Sequence, residues 1–317
     1  MTEDSHPAYL SPSELGTKDY WESYYARTLA HISHETPDNA NGSEQEDDDA
    51  ASAASDLNDE DDPGTSWFSE HNAPQKVLHF LTRKSFPLSP RNTHKDTARQ
   101  PSVLDLGTGN GSMLALLKKR GGYAGPLVGV DYSRQSVELA RELQRVKGHS
   151  AYRSDSEDEE DSEDEVEGGS KMAVQDVPIR FEEWDILGSK AVLSETGLEA
   201  SPSENSLPWF PYQQGGFDIV LDKGTFDAVS LSDDAKTTRV CERYPDIARR
   251  LVRRGGFLIV TTCNWTEEEL VHWFTGDRTS GDRLAVWGRV EYPRFRFGGQ
   301  EGQGVCTVCF QRLGDDA

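Results

Sequence analysis

Long apolar runs, cysteines and basic residues are all scarce in this 317-residue chain. No stretch of about 18 apolar residues is present to span a bilayer. The start, Met1-Thr2-Glu3-Asp4-Ser5, lacks the basic beginning and apolar centre of a secretory signal. These gaps predict a cytoplasmic protein with no membrane segment. The four cysteines, Cys241, Cys263, Cys306 and Cys309, are too few and too unevenly spaced for a disulfide framework in a chain of this size. Cys306-Thr307-Val308-Cys309 has C-x-x-C spacing, but it falls in an alternating strand pattern that aims its thiols at opposite faces. With no second pair or histidine cluster beside it, no metal site is expected.

Positive charge is short as well: 33 Lys and Arg stand against 56 Asp and Glu, a net charge of −23. Ten acids lie in residues 44–62 and ten more in 155–167, neither block holding a basic residue, so the rest of the chain is close to neutral. Such blocks repel themselves and stay solvated. A reader of phosphate backbones needs a basic face, so no direct nucleic-acid contact is expected. Arg249, Arg250, Arg253 and Arg254 read as a solvated helix face.

What the chain does have is Val103-Leu104-Asp105-Leu106-Gly107-Thr108-Gly109-Asn110-Gly111, an apolar strand that ends in a carboxylate and breaks into a glycine turn. Met113 to Leu117 continue as the apolar face of a helix, so the glycines sit at the carboxyl end of a strand in a βα unit, where open α/β sheets bind ligands. Ser112 occupies the place of the last glycine in G-x-G-x-x-G, which disfavours a dinucleotide. Glycines let a ligand approach the backbone, and free N–H groups at the helix start favour an anionic group. Asp131 ends a second apolar strand, with Ser133 placed to cap the next helix. Asp185 follows a third, beside Trp184. A carboxylate at the position of Asp131 suits ribose hydroxyls.

Three acids at successive strand ends, the first preceding the glycine turn, resemble the class I S-adenosylmethionine-dependent methyltransferases. The resemblance implies a Rossmann-like α/β fold and S-adenosylmethionine as cofactor. Asp105 would then anchor the turn near the methionine end, Asp131 would hold the ribose and Asp185 would reach the adenine amino group. Later strands are expected at 217–221, 256–262, 284–292 and 304–313, giving a seven-stranded, mainly parallel sheet with a C-terminal antiparallel hairpin.

The strand Phe217-Asp218-Ile219-Val220-Leu221 runs into Asp222-Lys223-Gly224-Thr225, next to the glycine turn. Asp222 is the expected catalytic acid, because a carboxylate suits a lysine ammonium that must lose a proton and regain charge as the methyl transfers. A plainer role, hydrogen-bonding the turn, is compatible with it. Thr266 and Glu269 form a capping-box pattern, and Asn264 and Trp265 before it are placed as a rim for an aliphatic lysine chain.

Residues 15–31 carry Tyr20, Trp21, Tyr24 and Tyr25 on an amphipathic helix with Ser13 as its cap, an aromatic stripe expected to serve as core. Together with Leu15-Gly16-Thr17-Lys18 and Tyr20-Trp21, the segments Trp67-Phe68-Ser69-Glu70, Asp105–Gly111, Asp222–Ala228 and Cys263-Asn264-Trp265-Thr266 resemble the eukaryotic methyltransferases that modify a lysine of translation elongation factor 1-alpha. Ser69 and Thr262 stand where that family usually has glycine and serine. The resemblance implies a folded protein, elongation factor 1-alpha, as acceptor. It also implies cofactor contacts at Asp105, Gly107, Gly109, Asp131, Asp185 and Trp67. The expected layout is an N-terminal helical lid segment at 1–34, an acidic insert at 35–63, and a methyltransferase domain at 64–317 with inserts near 88–101, 149–175 and 188–215. A monomer is expected. Another protein acceptor on the same fold, and a non-catalytic cofactor-binding module, are the alternatives; the intact turn and acids weigh against the second.

Overall fold

The computed structural model describes residues 7–35, 64, 68, 71–93, 100–153, 177–191, 193, 206–234, 237, 240–276, 281–293, 295–297, 300–302 and 304–314. The acidic blocks and Trp67 lie outside the described residues.

Seven strands form one sheet: β1 (Val103–Leu106), β2 (Leu127–Asp131), β3 (Arg180–Glu183), β4 (Phe217–Lys223), β5 (Val252–Thr262), β6 (Arg283–Val290) and β9 (Cys306–Leu313). Their order is β3-β2-β1-β4-β5-β9-β6. The first five are parallel, and β9 runs antiparallel between β5 and β6. The expected antiparallel pair is therefore present, with β9 inserted inside β6 rather than outside it. A separate ribbon pairs β7 (Phe295–Phe297) with β8 (Gln300–Gly302).

The sheet is covered on both faces, as a parallel sheet requires. One face, with Val103, Ile219, Leu221 and Ile259, packs against α2 (Ala73–Thr82), α4 (Ser112–Lys119) and α5 (Arg134–Val146). The other, with Leu104, Leu106, Val220 and Val260, packs against α6 (Thr225–Ser230), α7 (Val240–Leu251) and α8 (Glu267–Thr275). Cys309 belongs to the first face and Cys306 to the second, as strand alternation demands. All four cysteines are free, and no metal-binding cluster occurs among the described residues. Nor is any described helix long and apolar enough to cross a membrane.

Local signals act where the sequence places them. The Ser133 hydroxyl accepts from the Ser136 amide at 3.1 Å and starts α5. Thr266 and Glu269 close a reciprocal capping box on α8. Ser13 makes no side-chain cap; its amide donates to the Leu231 carbonyl, and α1 (Lys18–Glu35) starts after a 3-10 turn at Glu14–Gly16. Parts of the expected inserts are packed structure. Tyr152 and Trp209 are buried, and α3 (Pro90–Thr93) buries both of its ends. Arg249 is also buried, not solvated: it pairs with Asp246 and Asp282, and Arg312 grips Asp282 at 2.7 Å.

Candidate active site

The sheet order reverses between β1 and β4, the switch point where doubly wound folds open a crevice at the strand ends. There the turn after β1 is tightly built. The Thr108 hydroxyl donates to Asp105 Oδ2 at 2.9 Å, and its amide donates to the Val130 carbonyl at 3.0 Å, tying the turn to β2. Gly107 and Gly109 take left-handed conformations (φ 61° and 56°), where a side chain is strained. A Cβ on Gly109 would stand 2.8 Å from the Tyr25 hydroxyl, and one on Gly107 would strike Thr225 Oγ1, which donates to the Leu106 carbonyl at 2.6 Å. Both glycines are required by the packing of the turn itself.

This turn floors a cavity of about 210 Å³ whose wall holds three acids, Asp105, Asp131 and Asp185. Burial raises the Asp105 pKa to about 6, against the opposing pull of Lys223 and Thr108. Asp131 ends β2 and accepts from the Gly109 amide (3.0 Å) and Ser136 hydroxyl (2.8 Å) at Oδ2, and from the Ser133 amide (2.9 Å) at Oδ1. Burial raises its pKa, and these bonds oppose the rise. Asp185 lies two residues past the end of β3 rather than at it. Its Oδ1 accepts from the Leu187 and Gly188 amides at 3.0 and 2.9 Å.

The opposite wall comes from α1, whose Tyr20, Trp21, Tyr24 and Tyr25 line the cavity, with Tyr25 also packed against the adjoining core. The helix is pinned by three contacts: Glu22 accepts from the Arg134 and Gln135 amides at the start of α5 (3.0 and 3.3 Å), Trp21 Nε1 donates to the Leu15 carbonyl at 2.8 Å, and the Tyr132 hydroxyl donates to the Thr17 carbonyl at 3.2 Å. A carboxylate at a helix N-terminus satisfies orphan amides and the dipole together. The sequence reading expects a helical lid segment at 1–34 but assigns its aromatic stripe to a core; here the stripe lines the cavity.

Asp222 is not on the cavity wall. In the β1–β4 register Leu106 faces Asp222 and Asp105 faces Leu221, so alternation sends Asp222 to the opposite sheet face from Asp105. Its Oδ1 accepts from the Thr225 and Phe226 amides (2.9 and 3.2 Å) at the start of α6, and its Oδ2 from the Tyr244 hydroxyl (2.7 Å). Burial drives its pKa up to about 7 despite these bonds. Lys223, unremarked in the sequence, is the residue that faces the cavity.

Trp265 is likewise core. It is 5% exposed, its indole donates to Ser230 Oγ at 3.3 Å, and its ring stacks on Phe226. Asn264 is exposed, and its amide is held by Asp227 Oδ1 at 3.1 Å. Asp227 organises the whole strand end, accepting also from the Thr262 hydroxyl and the Cys263 amide, and burial lifts its pKa to about 6.

The cavity fits a nucleoside joined to an amino acid. Its floor admits no Cβ at Gly107 or Gly109, its acids lie near the ends of three neighbouring strands, and the buried Trp184 indole N–H in its wall has no protein acceptor. A switch-point cavity under a G-x-G-x-G turn, on a sheet of five parallel strands closed by an antiparallel pair, defines a class I methyltransferase. A family model described as a methyltransferase domain matches residues 99–172. The likeness to individual proteins is longer. The chain is 30% identical over 307 residues to protein-lysine N-methyltransferase EFM4 of Saccharomyces cerevisiae, covering 96% of both. It is 27% identical to efm4 of Schizosaccharomyces pombe (95% of both chains) and 24% identical to EEF1A lysine methyltransferase 2 of Homo sapiens (95% of this chain, 88% of that one). The chain belongs to this family of protein-lysine methyltransferases, enzymes whose methyl donor is S-adenosylmethionine.

Proposed function

We propose that this protein transfers methyl groups from S-adenosylmethionine to the side-chain amine of a lysine in translation elongation factor 1-alpha. The observation that carries this reading is the extent of the likeness. It covers 96% of the chain and so includes α1, which no general methyltransferase domain at 99–172 contains. Relatives named for elongation factor 1-alpha share that span. The α1 aromatics suit the acceptor, because a lysine brings a long aliphatic stem and a cation that aromatic faces attract.

In this reading Asp105 serves the methionine end, Asp131 the ribose and Asp185 the adenine amino group, over the floor of Gly107 and Gly109. Trp67 makes a further cofactor contact in this reading. Asp222 is a positioning residue that holds the start of α6 and the Gly224 turn against the cavity, rather than touching the amine. Trp265 supports α6 from beneath, which leaves Asn264 as the side chain able to meet the acceptor. The protein works as a cytoplasmic monomer without direct nucleic-acid contact, through a domain spanning 64–317 and a lid segment at 1–34.

The test is incubation of the purified protein with labelled S-adenosylmethionine and elongation factor 1-alpha, followed by mass spectrometry of the factor's lysines, with Asp131→Asn as control. Methylation of one lysine, reduced in the control, supports the reading. No transfer despite measurable cofactor binding excludes this acceptor and turns the search to other proteins.

A further inference from the structure

Lys223 is the only cation among the described residues lining the cavity, where it stands against Asp105, Asp131 and Asp185. Its position is set by the sheet. In the β1–β4 register Asp105 faces Leu221, so Lys223, two residues further along and the last residue of β4, emerges on the same face as Asp105, one position past the end of the pairing with β1. Its ammonium lies 5.8 Å from the Phe68 ring centroid, so its surroundings are partly apolar. Burial lowers its pKa, while Asp105 and Asp222 raise it.

The amino-acid end of S-adenosylmethionine carries an ammonium and a carboxylate on one carbon. Asp105 can pair with the ammonium, but no carboxylate among these wall residues can hold the cofactor's own carboxylate; that needs a donor or a cation. We infer that Lys223 binds the α-carboxylate of the cofactor, so that Asp105 and Lys223 form a two-point clamp on its zwitterionic end. The two protein charges lie on one sheet face, and each is opposite in sign to the ligand charge it would meet. The inference rests on the methyl donor alone and holds whatever protein accepts the methyl group.

Calorimetry with two ligands tests it without turnover. S-adenosylhomocysteine keeps the amino-acid end, whereas 5′-methylthioadenosine keeps the nucleoside and sulfur but lacks that end. Lys223→Met should weaken S-adenosylhomocysteine at least about tenfold and leave methylthioadenosine within about twofold, with Lys223→Arg retaining most of the affinity. Equal weakening of both ligands would show a structural role and overturn the clamp. Unchanged S-adenosylhomocysteine binding overturns it as well, whatever happens to turnover, since a proton carrier would lower the rate and spare the affinity. If Lys223→Met does not fold, Lys223→Gln takes its place with decarboxylated S-adenosylhomocysteine as second ligand: decarboxylation should cost the variant less affinity than it costs the wild-type protein, and an equal loss in both refutes the clamp.

Discussion

Asp131 already accepts three protein hydrogen bonds, two at Oδ2 and one at Oδ1, so a ribose must add to that set. A carboxylate has roughly four acceptor positions. The remaining one lies on Oδ1 and allows a single charge-assisted bond to one hydroxyl rather than a grip on both. Truncation to alanine would leave the Gly109 and Ser133 amides without their acceptor, at about 1–3 kcal/mol for each buried group, so Asp131→Ala confuses binding with folding. Asp131→Asn keeps the shape and removes the charge. It should weaken S-adenosylhomocysteine by about tenfold to a hundredfold, the worth of one hydrogen bond to a charged group, with a smaller fall in Tm than the alanine variant. Unaltered calorimetric affinity would remove Asp131 from the ribose.

At the scale of elements, α1 is the part whose place differs most from its sequence pattern. Amphipathicity says which face of a helix is covered and not what covers it, and here the aromatic stripe lies over the open strand ends, with only Tyr25 reaching the core as well. The Tyr25 hydroxyl stands only 2.8 Å from where a Cβ on Gly109 would be. Gly109→Ala should therefore lower Tm and cofactor affinity through two additive effects, left-handed strain of about 1 kcal/mol and collision with Tyr25. Tyr25→Phe removes the collision alone, so the double variant should recover part of the loss; strict additivity in a double-mutant cycle would show that α1 does not press on the turn. Caps such as Ser133 and Thr266 were legible because their partners lie three residues away. The division of labour between Asp222 and Lys223 was not, although period-two alternation was in view. Deciding which of them shares a face with Asp105 needs the β1–β4 register, a pairing across more than 110 residues of chain. Trp265 was misplaced for the same reason: the ring cluster that buries it is drawn from α6 and α8.

Across the whole molecule, charge is buried in two opposed ways. Asp282 is taken out of water, which raises its pKa, but the guanidiniums of Arg312 and Arg249 outweigh this and hold it at about 2. Its stabilising contribution is present above the ordinary carboxylate range and is lost as pH falls toward 2. Asp105, Asp222 and Asp227 are displaced the other way, to about 6, 7 and 6, chiefly by burial. In each, the folded state binds a proton more tightly than the unfolded chain, so stability falls as pH rises from about 4 through the folded pKa and levels off above it. The slope is roughly 1.4 kcal/mol per pH unit for each group while it titrates. The ligand-free protein should consequently melt at a higher temperature near pH 5.5 than near pH 8, and the gain should shrink in Asp222→Asn, which removes the group displaced furthest. The asparagine can still accept from the Thr225 and Phe226 amides, so α6 keeps its start. A melting temperature that climbs between pH 5.5 and pH 8, or a pH slope identical in Asp222→Asn, would mean that Asp222 ionises inside the fold without penalty. In that case its bonds to α6 and Tyr244 outweigh its burial.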